Sequence, residues 1–121
     1  MILVVEDDPT ILMLADGIIR ELGHRTLTAF NGAEAESLLP TEAAIEALFT
    51  EIDLGPGPNG LELATTAVTH RPDIKVIYAT GQPLTDGLRE MMVDGAQYVG
   101  KPYTPEEIRA ALAAVFPNRR P

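Results

Sequence analysis

Ile2-Leu3-Val4-Val5-Glu6-Asp7-Asp8 opens the chain as four apolar residues running straight into three acids. A short continuous apolar run, half of it β-branched, reads as a strand buried on both faces. Three carboxylates in a row at its end repel one another and lose hydration when crowded. They call for a counter-charge, and a hard cation such as Mg²⁺ suits their oxygens. The competing explanation is a solvated acidic turn in which Asp8 caps the next helix. Taken alone, the segment supports both. Ligands of open α/β sheets bind at the carboxyl ends of the strands, which already makes Asp7 a candidate metal ligand.

Working outward, helical and strand patterns alternate. Pro9 suits a first helical turn, and Ile11, Leu12, Leu14, Ala15, Ile18, Ile19 and Leu22 fall on one helical face that Gly23 closes. Arg25–Ala29 reads as a second strand and Asn31-Gly32 as a turn. Ala33–Leu39 reads as a short helix ended by Pro40. A third strand lies within Ile45–Ile52, clearest at Ala47-Leu48-Phe49-Thr50, and is followed by the Gly/Pro loop 55–60. Leu61, Leu63, Ala64, Ala67 and Val68 mark a third helix closing near Arg71-Pro72. Ile74–Thr80 is a fourth strand, and Leu84, Leu88, Met91 and Met92 fall at fourth-helix spacing. Gln97–Gly100 is a fifth strand, and Thr104-Pro105 starts a fifth helix with Ile108, Leu112 and Val115 inward. Five βα units predict an α/β fold with a five-stranded parallel sheet covered on both faces, in flavodoxin-like doubly wound order. Right-handed crossovers then bring the ends of strands 1, 3, 4 and 5 to one rim.

Composition narrows the function. The length of 121 residues fits one domain over the whole chain. With no cysteine, thiolate sites are excluded, and with only His24 and His70 as imidazoles the composition argues against a zinc site. A net charge of −9 argues against a nucleic-acid surface, and Arg119-Arg120 is too short a cluster to offset it. No apolar run approaches a membrane span, and the N-terminus lacks a basic leader, so a cytoplasmic protein without a membrane partner is expected. The early first strand and late last helix give the expectation of a stand-alone domain without a DNA-binding output.

At the expected rim stand Glu6-Asp7, Thr50-Glu51, Ala79-Thr80-Gly81 and Lys101-Pro102. Acids hold Mg²⁺, a hydroxyl and a lysine contact phosphoryl oxygens, and a carboxylate can attack phosphorus. No single one of these is specific, but their occurrence in this order, one per βα unit, is. With Leu48-Phe49-Thr50-Glu51-Ile52 and Tyr98-Val99-Gly100-Lys101-Pro102-Tyr103, the chain resembles the receiver domain of two-component response regulators over essentially its whole length.

In that family an aspartate ending strand 3 accepts a phosphoryl group from a histidine kinase or histidine phosphotransfer protein. The resemblance implies a regulatory domain rather than an enzyme in its own right. It implies that Glu6 and Asp7 form the acidic pair, with Asp7 bound directly to Mg²⁺ and the backbone carbonyl of Asp53 completing the metal shell with Glu51. Thr80 becomes the switch hydroxyl, Lys101 the lysine that neutralises the phosphoryl group, and Tyr98 the aromatic switch position. The face of helix 4, strand 5 and helix 5 becomes the surface for a downstream target, in a monomer or weak homodimer.

One position departs from the family. Glu51 stands where the resemblance places the acceptor aspartate, and Asp53 follows two residues later. Asp53 as acceptor would lengthen the strand by two residues and leave only six before Gly60, so Glu51 is assigned the position. Glutamate adds one methylene, about 1.5 Å of reach, and misplacement of that order costs on the order of 100-fold in a positioned reaction. The expectation is phosphorylation-independent or constitutively active-like behaviour. The alternatives are phosphotransfer through Asp53 and a binding-only pseudo-receiver. A Mg²⁺-dependent phosphatase of the haloacid-dehalogenase type needs Asp-x-Asp after strand 1, where this chain has Glu6-Asp7-Asp8. A flavodoxin-type flavin carrier needs a phosphate loop where this chain is acidic.

Overall fold

The computed structural model describes residues 1–117, so Arg119-Arg120 lies outside the described residues. Strand and helix alternate along the chain as β1 (Ile2–Val5), α1 (Pro9–Glu21), β2 (Thr26–Ala29), α2 (Gly32–Leu38), β3 (Ala47–Glu51), α3 (Gly60–His70), β4 (Lys75–Thr80), α4 (Asp86–Met91), β5 (Gln97–Gly100) and α5 (Pro105–Val115). The strands form one five-stranded sheet in the order β2-β1-β3-β4-β5, and every pairing is parallel. This is the flavodoxin-like winding expected from the sequence.

Period-two alternation sends successive strand residues to opposite faces, and both faces are covered. Ile2, Val4, Phe49, Ile77 and Val99 pack with Leu12 and Ile19 of α1 and Ile108 and Leu112 of α5. Leu3, Val5, Leu48, Val76 and Tyr78 pack with Ala35, Leu39, Leu63, Ala64 and Ala67 on the other face. The central strands therefore have no solvated side. That is why they read as unbroken apolar runs.

Side-chain caps set the helix starts. Asp8 Oδ1 accepts from the Thr10 and Ile11 N–H groups at 2.9 and 3.2 Å, the capping role the sequence allowed it. Asn59 with Glu62 and Thr104 with Glu107 form reciprocal capping boxes on α3 and α5. Several boundaries differ from the sequence expectation by a residue or two, and two of the differences have a clear cause. Asn31-Gly32 is not a free turn but the cap and first residue of α2, because the Asn31 side chain accepts from the Glu34 N–H. The fourth helix does not include Leu84. Thr85 caps it, and the remaining six residues bury no side chain.

Close backbone approaches fix the loop after β3. Gly60 N–H donates to the Ile52 carbonyl at 2.7 Å. A Cβ on Gly60 would lie 2.1 Å from the Glu51 carbonyl oxygen, and one on Gly32 would lie 2.2 Å from that of Pro58. Gly60 thus lets the start of α3 pack on the end of β3, and Gly32 lets the loop pack on the start of α2, where larger residues would push them apart. Arg71, just past α3, donates its guanidinium to the carbonyls of Ile45, Glu42 and Leu39, tying the approach to β3 to the end of α2.

Substituting Gly60→Ala is expected to lower stability by about 1–3 kcal/mol, as overpacking does when backbone must move. Gly17→Ala, inside α1 with open space around its Cβ, is expected to raise stability by about 0.5–1 kcal/mol. Urea unfolding of both variants measures the contrast.

Candidate functional site

Parallel register aligns Val5 with Thr50, Thr50 with Tyr78, and Tyr78 with Tyr98. The residues that follow on each strand emerge on one rim: Glu6, Glu51, Thr80 and Lys101. The Lys101 N–H donates to the Thr80 carbonyl at 2.9 Å, which pins the turn after β5 to the end of β4.

Lys101 is the junction of the site. Its Nζ lies 2.9 Å from Glu6 Oε2 and 3.0 Å from Glu51 Oε2. Glu6 and Glu51 are only 3% and 6% exposed. Each carboxylate also takes a backbone donor on its other oxygen. Glu6 Oε1 accepts from the Asp8 N–H at 3.2 Å, and Glu51 Oε1 from the Asp53 N–H at 3.3 Å. Glu51 Oε2 faces the ammonium without the alignment of a hydrogen bond, so that contact is Coulombic. Two buried anions on one strand edge repel strongly, and a shared ammonium between them is what makes their burial tolerable.

The ionisation of the cluster follows from this geometry. Burial raises the Glu6 pKa above the ordinary carboxylate value, and Lys101 only partly opposes it. For Lys101, burial pulls downward, but the attraction of Glu6 and Glu51 outweighs it and the net shift is upward. Tyr103, buried and edge-on to Phe49 at 5.9 Å between ring centres, is pushed up to about 12, first by burial and then by the negative charge of Glu6.

Thr80 is fully buried, and its Oγ1 accepts from the Gln82 N–H at 3.2 Å. The Tyr98 hydroxyl donates to the Gln82 carbonyl at 2.8 Å. Both positions expected to act as the switch are therefore held by the backbone of one residue, Gln82, which the sequence did not mark as a site residue. Its side chain carried no signal, because the contacts run through main-chain atoms. Asp7 and Asp53 are exposed, and Asp53 Oδ1 accepts from the Gly55 N–H at 3.3 Å.

Among the described residues no three His, Cys, Asp or Glu side chains converge on a position that would hold a metal ion. Glu6 and Glu51 come together, but around Lys101 rather than around a site shared with Asp7. As arranged, these side chains do not fit Mg²⁺, which needs near-octahedral oxygens at short range. An apolar cleft of about 230 Å³ adjoins the site, lined by Ile11, Leu14, Lys101, Pro102 and Tyr103. No helix among the described residues is long and apolar enough to cross a membrane.

Residues 2–113 match the family described as the response regulator receiver domain. Over 112 residues the chain is 33% identical to the transcriptional regulatory protein AruR of Pseudomonas aeruginosa, an alignment that covers 88% of this chain and 45% of AruR. The chain thus spans under half the length of that relative. Among solved structures, a response regulator receiver protein from Sinorhizobium medicae superposes with a TM-score of 0.89 at 23% identity, covering 98% of this chain and 95% of that one. The receiver domain of the sensor histidine kinase PA1611 from Pseudomonas aeruginosa superposes with a TM-score of 0.83 at 20% identity, covering 97% of each chain. That structure has a magnesium ion coordinated in its active-site cleft.

Removing the ammonium leaves two buried carboxylates uncompensated. Lys101→Met is expected to cost on the order of 3–5 kcal/mol, with part of the loss recovered in Lys101→Met/Glu6→Gln; chemical denaturation of the single and double variants measures both. Tyr103 gives a separate spectroscopic marker. The folded state keeps its phenol protonated to about pH 12, whereas an unfolded tyrosine releases its proton near pH 10. Stability supplied by this group is present below pH 10 and is lost as pH rises through 12. Tyrosinate absorbance of the native protein should show a late step that disappears in Tyr103→Phe.

Proposed function

The chain belongs to the response regulator receiver domain family, and on that premise we propose that it works as a two-component signalling receiver whose output does not depend on phosphorylation of its own acceptor position. Glu51 is assigned that position. The observation that carries the proposal is the seat of its carboxylate: Glu51 is the last residue of β3, buried, and 3.0 Å from Lys101 Nζ. A permanent anion thus stands where the family's acceptor would meet its lysine.

Glutamate keeps the charge but moves the attacking oxygen by about 1.5 Å, which is enough to spoil an in-line attack on phosphorus. Thr80 and Tyr98 both hydrogen-bond to the main chain of Gln82 rather than to Glu51. This favours a domain resting in its unswitched setting over one held constitutively on. Partners are of the two-component kind, a histidine kinase or histidine phosphotransfer protein on the rim and a downstream protein on the α4–β5–α5 face. On that face α4 buries no side chain and Met91 is 61% exposed, an adaptable contact for a partner.

The test is incubation with Mg²⁺ and acetyl phosphate followed by intact-protein mass. The unaltered chain is expected to gain nothing, and Glu51→Asp to gain one phosphoryl group. A stoichiometric gain by the unaltered chain overturns the proposal, and peptide mapping of that gain to Asp53 would move the acceptor there.

A further inference from the structure

The cation requirement of the pocket can be followed oxygen by oxygen. Glu6 and Glu51 present four carboxylate oxygens. Two face backbone N–H groups, of Asp8 at 3.2 Å and Asp53 at 3.3 Å. The other two face one ammonium at 2.9 and 3.0 Å. None of the four points to a place without a protein donor or charge. The third acid of the opening run, Asp7, is exposed and does not join them. A divalent ion entering here would have to shed water, evict an ammonium from two anions and sit beside the evicted charge. Mg²⁺ gives up its water reluctantly.

The reach of Glu51 creates this arrangement. Its backbone cannot retreat, because Gly60 packs directly on the Glu51 carbonyl and donates to that of Ile52. Lys101 is fixed at the main chain by its bond to the Thr80 carbonyl. From those two anchored points the carboxylate and the ammonium meet. A side chain one methylene shorter would stop about 1.5 Å earlier and leave a gap that a metal ion or water could fill.

We infer that Lys101 is the resident cation of this receiver, standing between Glu6 and Glu51 in the place of a divalent metal, so that the domain neither requires nor takes up Mg²⁺. This rests on the proposal that Glu51 occupies the acceptor position and extends it to the metal.

Mn²⁺, whose free aqueous ion gives a paramagnetic resonance signal that is lost on binding, is the probe. With the unaltered chain at equimolar concentration, the free-ion signal is expected to persist, and thermal unfolding in Mg²⁺ and in chelator should superimpose. Glu51→Asp is expected to quench the signal and to gain thermal stability in Mg²⁺. Lys101→Met should do the same where it folds, and Glu51→Asp keeps the test decisive where it does not. Loss of the free-ion signal with the unaltered chain, reversed by excess Mg²⁺, overturns the inference. So does a folded Glu51→Asp that leaves the signal intact. A metal-binding but unphosphorylated chain would remove this inference alone, whereas a phosphoryl adduct on the unaltered chain would remove the functional proposal beneath it.

Discussion

Everything at the rim depends on one electrostatic constraint. Two glutamates stand at the ends of adjacent strands in a sheet that has no solvated face, and both are buried. Buried carboxylates left unpaired cost several kcal/mol each even after relaxation. Lys101 is the group that meets both. Its backbone bond to Thr80 anchors the residue from which that ammonium reaches back to the two carboxylates. Burial makes Glu6 reluctant to ionise against the pull of Lys101, the two glutamates make Lys101 reluctant to lose its proton against its own burial, and burial followed by the charge of Glu6 makes Tyr103 reluctant to become an anion.

The doubly wound sheet sets up that constraint. Its order places β1 between β2 and β3 and brings β4 and β5 to the same side as β3. The chain reverses winding direction at β1 and β3, and the crevice this opens is where the acids gather. Around it the backbone is tight on one side and loose on the other. Gly60 and Gly32 clamp the loop after β3 against its neighbours, while α4 buries no residue and touches the core only through the half-buried Leu88. A site with a rigid floor and a lightly packed flank suits a domain that passes a local change to a partner surface, since elements with few buried contacts are the ones that shift most readily.

The fold was largely legible in the chain. Short apolar runs such as Ile2–Val5 and Val76–Ala79, set between helical patterns, read as buried strands, and Asp8, Thr104 and Pro105 carry their helix starts in their own chemistry. The misreadings were local. Asn31-Gly32 has turn composition, but the same side chain that makes an Asx turn can cap a helix, and the sequence does not choose between them. Leu84 keeps helical spacing with Leu88, yet Thr85 ends that register by capping α4 one residue later. The membership of the rim was legible too, because one chemically suitable residue closes each of the four strands.

Its wiring was not. Sequence by itself determined that Glu6, Asp7, Glu51, Thr80 and Lys101 lie along one sheet edge, since strand ends and crossover handedness follow from local pattern. Tertiary structure alone decided that Lys101 lies between Glu6 and Glu51, that Asp7 faces out, and that Thr80 and Tyr98 share the main chain of Gln82. Those outcomes turn on ångström-scale distances between side chains brought together from separate βα units and on which oxygen meets which donor. Propensity and spacing carry no information at that scale, whereas the balance of Coulomb attraction against desolvation is settled there.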